Sequence, residues 1–342
     1  MMRLPRFAYH APRSVAEAAD LLAQGAGDAM LVGGGTDLLP NMKRRQQTPT
    51  VLVGLRAIPE LTRVAVDDGL TIGAGTTLSA LLELPSVREQ YTGLWQAAAQ
   101  IATPHLRNMG TLGGNLCLDT RCNYYDQNYE WRKAIDFCMK KDGATCWVAT
   151  SSPKCLAVSS TDLAPMLVAL NAVVSLHSAD GVRRVPVAQL YRNDGINYLS
   201  RRPNEVLTEV QLPQADGWRS TYWKLRRRGS FDFPVLSIGV ASKCAADGTV
   251  EAARIALGAV ASCPVEAGDA SASLVGDRLT DLAIERAAEM AARPARPMDN
   301  TDFSLVWRKR MTRDFVTYAL RELRGDDVRE IRRRIGRAPL LA

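Results

Sequence analysis

Three glycine-rich stretches lie close together in the first part of the chain: VGGGTDLL (32–39), IGAGTTLSAL (72–81) and RNMGTLGGNL (107–116). Glycine has no Cβ and tolerates positive φ, so the backbone at such turns can approach a ligand closely. Successive N–H groups in a turn of this kind also form an anion-binding concavity. In the first stretch, Thr36 and Asp37 sit where a strand hands over to a helix, whose N-terminus favours a pyrophosphate. None of the three is a GxGxxG dinucleotide fingerprint in its proper context, and none is a GxxxxGK[ST] phosphate loop. One such turn reads as a plain turn. Three together read as a nucleotide site, with neighbouring Ser and Thr hydroxyls as donors to phosphate.

The segments around these turns alternate in type. SVAEAADLLAQG (14–25) has helical periodicity, with Ser14 as N-cap, Glu17 at the capping-box position and Gly25 as stop. AMLVGGGTDLLPNMKRR predicts a short buried strand, a turn and a helix start, and PTVLVGL predicts another strand. LTRVAVDDGLTIGAG is two strands joined by an Asp-Asp-Gly turn. TTLSALLELPSVREQYTGLWQAAAQIA is helical in two pieces. TDLAPMLVALNAVVSLHSADGVRRVPV reads as helix, strand, turn, strand, and residues 205–213 as a strand. From Trp218 the pattern changes to strands around an Ala-Asp-Gly turn, then long helices at 281–293 and 302–324. The alternation indicates an α/β or α+β chain. A length of 342 residues holds two or three domains, and the loop PQADG places a boundary near 217, giving domains 1–217 and 218–342.

The net charge of +7 comes partly from WRKRMTRDF and REIRRRIG near the C-terminus. Acidic residues interleave there and no aromatic stacking platform accompanies the charge. The pattern reads as a solvated helix face or a partner-docking face rather than a nucleic-acid surface. No apolar window is long enough to span a membrane, and the N-terminus lacks a secretory pattern. The expectation is a cytoplasmic protein whose thiols stay reduced, where clustered cysteines more often hold metal than form disulfides.

Four motifs in order are informative together: Gly34-Gly35-Thr36, TPHLRNMGTLGGN (103–115), Asp162-Leu163 before an apolar helix, and KLRRRGSFDFP (224–234). They resemble the flavin subunit of the molybdenum hydroxylase family, the relatives of xanthine dehydrogenase and carbon monoxide dehydrogenase, over nearly the whole chain. The resemblance implies an α+β fold: a vanillyl-alcohol-oxidase-like (PCMH-type) FAD-binding domain of two subdomains, split near 57, and a C-terminal α+β domain of the CO dehydrogenase flavoprotein type. FAD would lie extended between them, pyrophosphate on the first glycine turn and ring near the second. The implied FAD-binding set begins with Ala29, Met30, Leu31, Val32, Gly33, Gly34, Gly35, Thr36, Asp37 and Leu38, of which 31–38 hold the pyrophosphate. Thr111, Gly113, Gly114 and Asn115 line the flavin side, and Ile101, Leu112 and Asn123 complete the set. Asp162 would accept from a hydroxyl or ring N–H, and Lys224 would sit near the isoalloxazine carbonyls, where a cation stabilises anionic reduced flavin. His105 reads as a hydrogen-bonded structural histidine beside the flavin, and Arg107-Asn108 as a clamp on the turn or a contact to a partner chain. No catalytic residue is expected, because substrate would react on another chain.

Five of the seven cysteines fall between 117 and 155, at or inside an insertion of about 117–158 that separates Asn115 from Asp162. Within the family, such an insertion resembles the 4-hydroxybenzoyl-CoA reductase subfamily, whose flavin subunit carries an extra [4Fe–4S] cluster. A cubane needs four thiolates, and Cys122-x15-Cys138-x7-Cys146-x8-Cys155 supplies them on a loop that must wrap the cluster. Cys117 follows GGN in an expected core strand, where it packs as a small hydrophobe; Cys244 and Cys263 receive the same reading. Zinc would also use four thiols but usually shows a CxxC knuckle, and His105 and His177 lie outside the insertion. Disulfides would need an oxidising compartment. The aromatics Tyr124, Tyr125, Tyr129, Trp131, Phe137 and Trp147 read as a mini-core that buries the cluster. The implied partners are a large molybdopterin subunit, a small subunit with two [2Fe–2S] clusters and ferredoxin as electron donor, assembled as a dimer of heterotrimers. The alternatives are the FAD subunit of a conventional hydroxylase of purines, N-heterocycles or aldehydes with a docking or zinc-binding insertion, and an FAD-free zinc scaffold.

Overall fold

A computed structural model describes residues 3–25, 27–229 and 231–337. The chain builds three sheets in order. The first is parallel and contains β1 (Ala8–His10), β2 (Ala29–Val32) and β3 (Val51–Gly54), arranged β1-β3-β2. The helix Val15–Gln24 links β1 to β2. Ser14 caps it, its hydroxyl accepting from Glu17 N at 3.1 Å, while the Glu17 carboxylate reaches back to Arg13 N at 2.8 Å. Its buried face of Val15, Ala18, Ala19 and Leu22 packs on Val53, Ile58 and Leu61. The AMLV strand is half-buried rather than buried.

The second sheet is antiparallel, in the order β4-β5-β8-β6-β7, with β4 (Val64–Asp67), β5 (Gly69–Gly73), β6 (Val173–Ser178), β7 (Gly181–Pro186) and β8 (Val206–Pro213). The Asp-Asp-Gly turn closes the β4–β5 hairpin. Gly69 has φ +132°, and a Cβ there would lie 2.2 Å from Leu212 O. The helices Thr92–Ala99 and Leu163–Ala169 complete the core. The stretch expected to form two helical pieces forms three, Leu78–Glu83, Pro85–Gln90 and Thr92–Ala99. Extended Leu84 precedes Pro85, which opens the second helix, and Tyr91 leaves helical geometry before the third.

The third sheet, β12-β11-β10-β9, is antiparallel and uses β9 (Trp218–Leu225), β10 (Leu236–Cys244), β11 (Val250–Gly258) and β12 (Val265–Glu266). The helices Asp281–Ala292 and Leu305–Arg324 bury Ile284, Ala288, Phe315 and Leu320 against it. The second of these starts three residues later than the pattern suggests, because Phe303 takes φ +66° and Ser304 becomes the cap. The last helix, Arg329–Arg337, returns to the interface between the two parts of the chain. Arg332 stacks 4.0 Å over Trp223 and donates to both Gln96 Oε1 and Tyr222 O at 3.3 Å. Part of the basic C-terminal run is therefore a staple and not a solvated face. Two cysteine expectations are corrected here. Cys117 lies at the end of a short helix, Leu112–Leu116, and not in a strand; Cys244 is exposed at the end of β10 and does not pack as a core residue. No helix among the described residues is long and apolar enough to cross a membrane.

Candidate functional site

The three glycine turns converge. Gly34 backs onto the third turn so closely that a Cβ would lie 1.8 Å from Met109 O, and a Cβ on Gly33 would meet Thr111 Oγ1 at 2.9 Å. The third turn is in turn tied to the second. Leu112 N donates to Thr76 O at 2.9 Å, Gly113 N to Ala74 O at 2.8 Å, and Leu78 N to Gly110 O at 2.9 Å. Thr111 caps its helix through Gly114 N at 3.0 Å. Within this knot the Thr76 hydroxyl is buried and has no hydrogen-bond partner among the described residues. Buried hydroxyls are rarely left so. A cradle too tight for side chains, with an orphan hydroxyl in it, fits an extended phosphate-bearing cofactor. Gly34→Ala should force the first and third turns apart at a cost of about 1–3 kcal/mol, and flavin absorbance per chain should fall sharply. Gly268→Ala, where a Cβ meets nothing within 4 Å, is the neutral control.

The other residues of the expected FAD set fall into different roles. Ala29, Met30, Leu31 and Val32 form β2, which leads into the first turn, and Gly35 takes φ +70°. The Asp37 carboxylate is engaged within the protein: Arg121 pairs with one oxygen and Asn41 Nδ2 donates to the other at 3.1 Å. Asn115 anchors the far side of the insertion, its Oδ1 accepting from Thr161 Oγ1 at 2.7 Å and Leu163 N at 3.1 Å. Ile101 is in the core, and its carbonyl receives Arg107 Nη1 at 2.7 Å. Asn108 receives the Ser79 hydroxyl at 2.6 Å, so Arg107 and Asn108 both clamp the turn. Asn123 is exposed, its backbone N–H held by Asn300 O at 2.9 Å. His105 is exposed on the short helix Pro104–Arg107.

Asp162 and Lys224 meet each other. Lys224 Nζ lies 2.9 Å from Asp162 Oδ1, and the two side chains are 0% and 4% exposed. The Tyr222 hydroxyl donates to Asp162 at 2.6 Å, and Lys224 also reaches Gln100 O at 3.1 Å. Burial raises the Asp162 carboxyl and lowers the Lys224 ammonium, while each charge opposes that shift in the other. The pair bridges Asp162, just ahead of the helix Leu163–Ala169, to β9.

The insertion forms its own small core. Cys122, Cys138, Cys146 and Cys155 are 6, 5, 5 and 4% exposed. Cys122, Cys138 and Cys155 pack with Tyr125 and Ala157, flanked by Tyr124, Trp147 and Val148. Three of the four, Cys122, Cys138 and Cys155, share this packed core, and Cys146 is buried near Cys155. Burial pushes the Cys122 thiol up to about 12 and the Cys155 thiol up to about 11. All seven cysteines are free. No group of three or more His, Cys, Asp or Glu among the described residues is arranged to hold a single metal ion. Tyr129 and Trp131 are exposed and lie outside this core.

Several anchoring residues carried no sequence signal. Lys140 Nζ is buried and donates to Asp119 Oδ1 at 2.8 Å and to Thr120 Oγ1 and Gly195 O at 2.7 Å. Gly195 presses on Cys155, where a Cβ would lie 2.7 Å from Sγ. Arg121, next to Cys122, joins the insertion to Asp37 of the first turn. Lys140→Met should loosen the insertion by about 1.5–3 kcal/mol, the worth of hydrogen bonds to a charged group. Limited proteolysis should then cut between 123 and 154 faster than in the native chain.

Comparison with known proteins agrees with this geometry. Residues 5–215 match the family described as FAD binding domain in molybdopterin dehydrogenase, and residues 220–323 match the CO dehydrogenase flavoprotein C-terminal domain. The chain is 30% identical to the carbon monoxide dehydrogenase medium chain of Hydrogenophaga pseudoflava over 92% of this chain and 96% of that one. It is 35% identical to the aldehyde oxidoreductase FAD-binding subunit PaoB of Escherichia coli K12, covering 78% and 86% respectively. The solved structure of the Hydrogenophaga pseudoflava carbon monoxide dehydrogenase superposes with a TM-score of 0.77 at 30% identity, over 93% of this chain and 97% of that one. A glycine cradle with an orphan hydroxyl, a two-domain α+β fold and these matches lead to one assignment: the chain belongs to the family of FAD-binding subunits of the molybdenum hydroxylases, the carbon monoxide dehydrogenase medium-chain family.

Proposed function

We propose that the chain is an electron-transfer subunit carrying both FAD and a [4Fe–4S] cluster. It would work beside a molybdopterin-containing large subunit and a small subunit with two [2Fe–2S] clusters, with a ferredoxin as external redox partner. The observation that supports the proposal is the burial of four cysteines of one insertion, three of them packed in one small core. A cubane would bind one thiolate at each of its four irons, so its ligands need not close on a point as around one ion. Such a cluster exchanges single electrons, and FAD joins one-electron carriers to two-electron chemistry. The chain's own residues hold and insulate. The turns at 32–36 and 109–114 cradle the dinucleotide, and Thr76 donates its free hydroxyl to it. The Lys224–Asp162 pair fixes the domain junction beside the flavin side of the cradle. Tyr125 and Trp147 keep water from the thiols, which tunes a metal group through its surroundings.

The substrate reacts elsewhere in the complex, and two readings differ in direction. The 35% identity to an aldehyde oxidoreductase subunit favours oxidation of an aldehyde and water to a carboxylic acid, releasing two electrons and two protons. The insertion taken alone favours reductive dehydroxylation of 4-hydroxybenzoyl-CoA to benzoyl-CoA, with electrons entering from ferredoxin. Anaerobic purification of the chain and of its complex tests both levels. The isolated chain should show flavin bands, a broad shoulder near about 400 nm and about four iron and four sulfide per chain. Flavin without iron would sink the cluster. The complex should reduce viologen with an aldehyde; turnover only of 4-hydroxybenzoyl-CoA with reduced viologen would reverse the substrate reading.

A further inference from the structure

Two cations of the insertion are withdrawn from solvent, and the protein treats them in opposite ways. Lys140 meets three oxygen acceptors, as many as its ammonium has donors. Arg132, on the helix Tyr129–Ala134, is 1% exposed. Its Nε, Nη1 and Nη2 have no hydrogen-bond partner among the described residues. The carboxylate paired with it, Asp142 Oδ2, is 3.7 Å away, too far for a hydrogen bond, and is itself 44% exposed. The Phe137 ring centroid lies 5.8 Å from the guanidinium carbon. Both neighbours flank Cys138 on the loop whose turn is closed by Lys141 N and Gly143 N donating to Cys138 O at 2.8 and 3.1 Å. A buried guanidinium with idle donors is costly and is not left so without an acceptor. The polypeptide offers no acceptor within hydrogen-bond distance here, and the two residues that face the guanidinium, Phe137 and Asp142, bracket Cys138, one of the four buried cysteines of the insertion.

We propose that Arg132 is a positioning residue of the iron–sulfur site, donating N–H···S hydrogen bonds to the sulfurs of the group the thiols hold and favouring its more negative, reduced state. The inference rests on the cluster reading of the insertion. Hydrogen bonds to sulfur and local charge set the potential of such groups. In a redox titration one electron passes from the reduced mediator to the group, and no bond forms or breaks. A cation at hydrogen-bond distance stabilises the added charge, so the midpoint is higher with Arg132 than without it.

The test is an anaerobic potentiometric titration of the full chain followed by electron paramagnetic resonance, after iron and sulfide have been counted. Arg132→Met should keep iron, sulfide and FAD while its cluster midpoint falls. Arg132→Gln, which keeps a donor without the charge, should fall less. If Arg132→Met does not load, Arg132→Gln against the native chain carries the comparison. Equal midpoints at full iron content would overturn the role of Arg132 and leave the cluster in place. Iron loss from both variants would make Arg132 a support of the insertion's fold and overturn the proposal. A native chain without iron or sulfide would overturn the cluster reading, and this inference with it.

Discussion

Cys138→Ser should remove nearly all iron and labile sulfide from the chain and leave FAD bound. Cys138 is buried with Cys122 and Cys155, and its carbonyl closes a turn of the insertion through Lys141 N and Gly143 N. A cubane held by three thiolates and a serine is readily lost, so roughly four iron atoms per chain should fall towards none. The glycine cradle makes none of its contacts through the insertion's thiols, so the flavin bands should persist. Two controls give the experiment its meaning. Cys263→Ser, half-buried and outside the insertion, should keep its iron. Cys117→Ser should keep it too, because Cys117 packs against the main core and takes no part in the insertion's small core. Full iron in Cys138→Ser, or its loss in Cys117→Ser, would reject this ligand set.

Lys224→Ala should cost about 3–5 kcal/mol of stability, the usual result of stripping one partner from a buried ion pair. Asp162 would then keep the Tyr222 hydroxyl at 2.6 Å but lose its cation, inside a site that water does not reach. The carboxyl should respond by taking up a proton, moving further in the direction burial already drives it. The double variant Asp162→Leu/Lys224→Met should recover most of the loss, since apolar replacement of a whole buried pair is often close to neutral. Denaturant midpoints of the apoprotein measure this directly. Flavin content of the same variants then separates junction stability from FAD retention. A loss below about 1 kcal/mol for Lys224→Ala would place the pair among contacts of surface strength.

The sequence made the elements legible but not their meetings. Most strands, the two hairpin turns and the Ser14 cap depend on neighbours a few residues away and agree with the local pattern, whereas the short β1 and β12 carry no such signal. The convergence of the turns depends on Gly34 meeting Met109, a contact that local pattern does not encode. Asp162 and Lys224 could be picked out as motif residues, but nothing in their spacing says that they neutralise one another. The four cysteines stand out in the sequence by residue type and by the family resemblance, and the structure adds that all four are buried. Cys244 departs from the expected buried packing because burial along β10 ends where the ladder shifts, between Lys243 and Cys244. Arg132 carries no sequence signal, because a charged residue on a short helix reads as solvated and only packing encloses it.

The ion pair between Arg121 and Asp37 joins the residue beside Cys122 to the loop that opens the first glycine turn. Arg121 also stacks 4.6 Å over Phe233, near the start of the C-terminal part. An excursion tied in this way is no detachable cassette. A transplant of residues 117–158 into another chain should therefore dock best where an acidic residue stands in the place of Asp37.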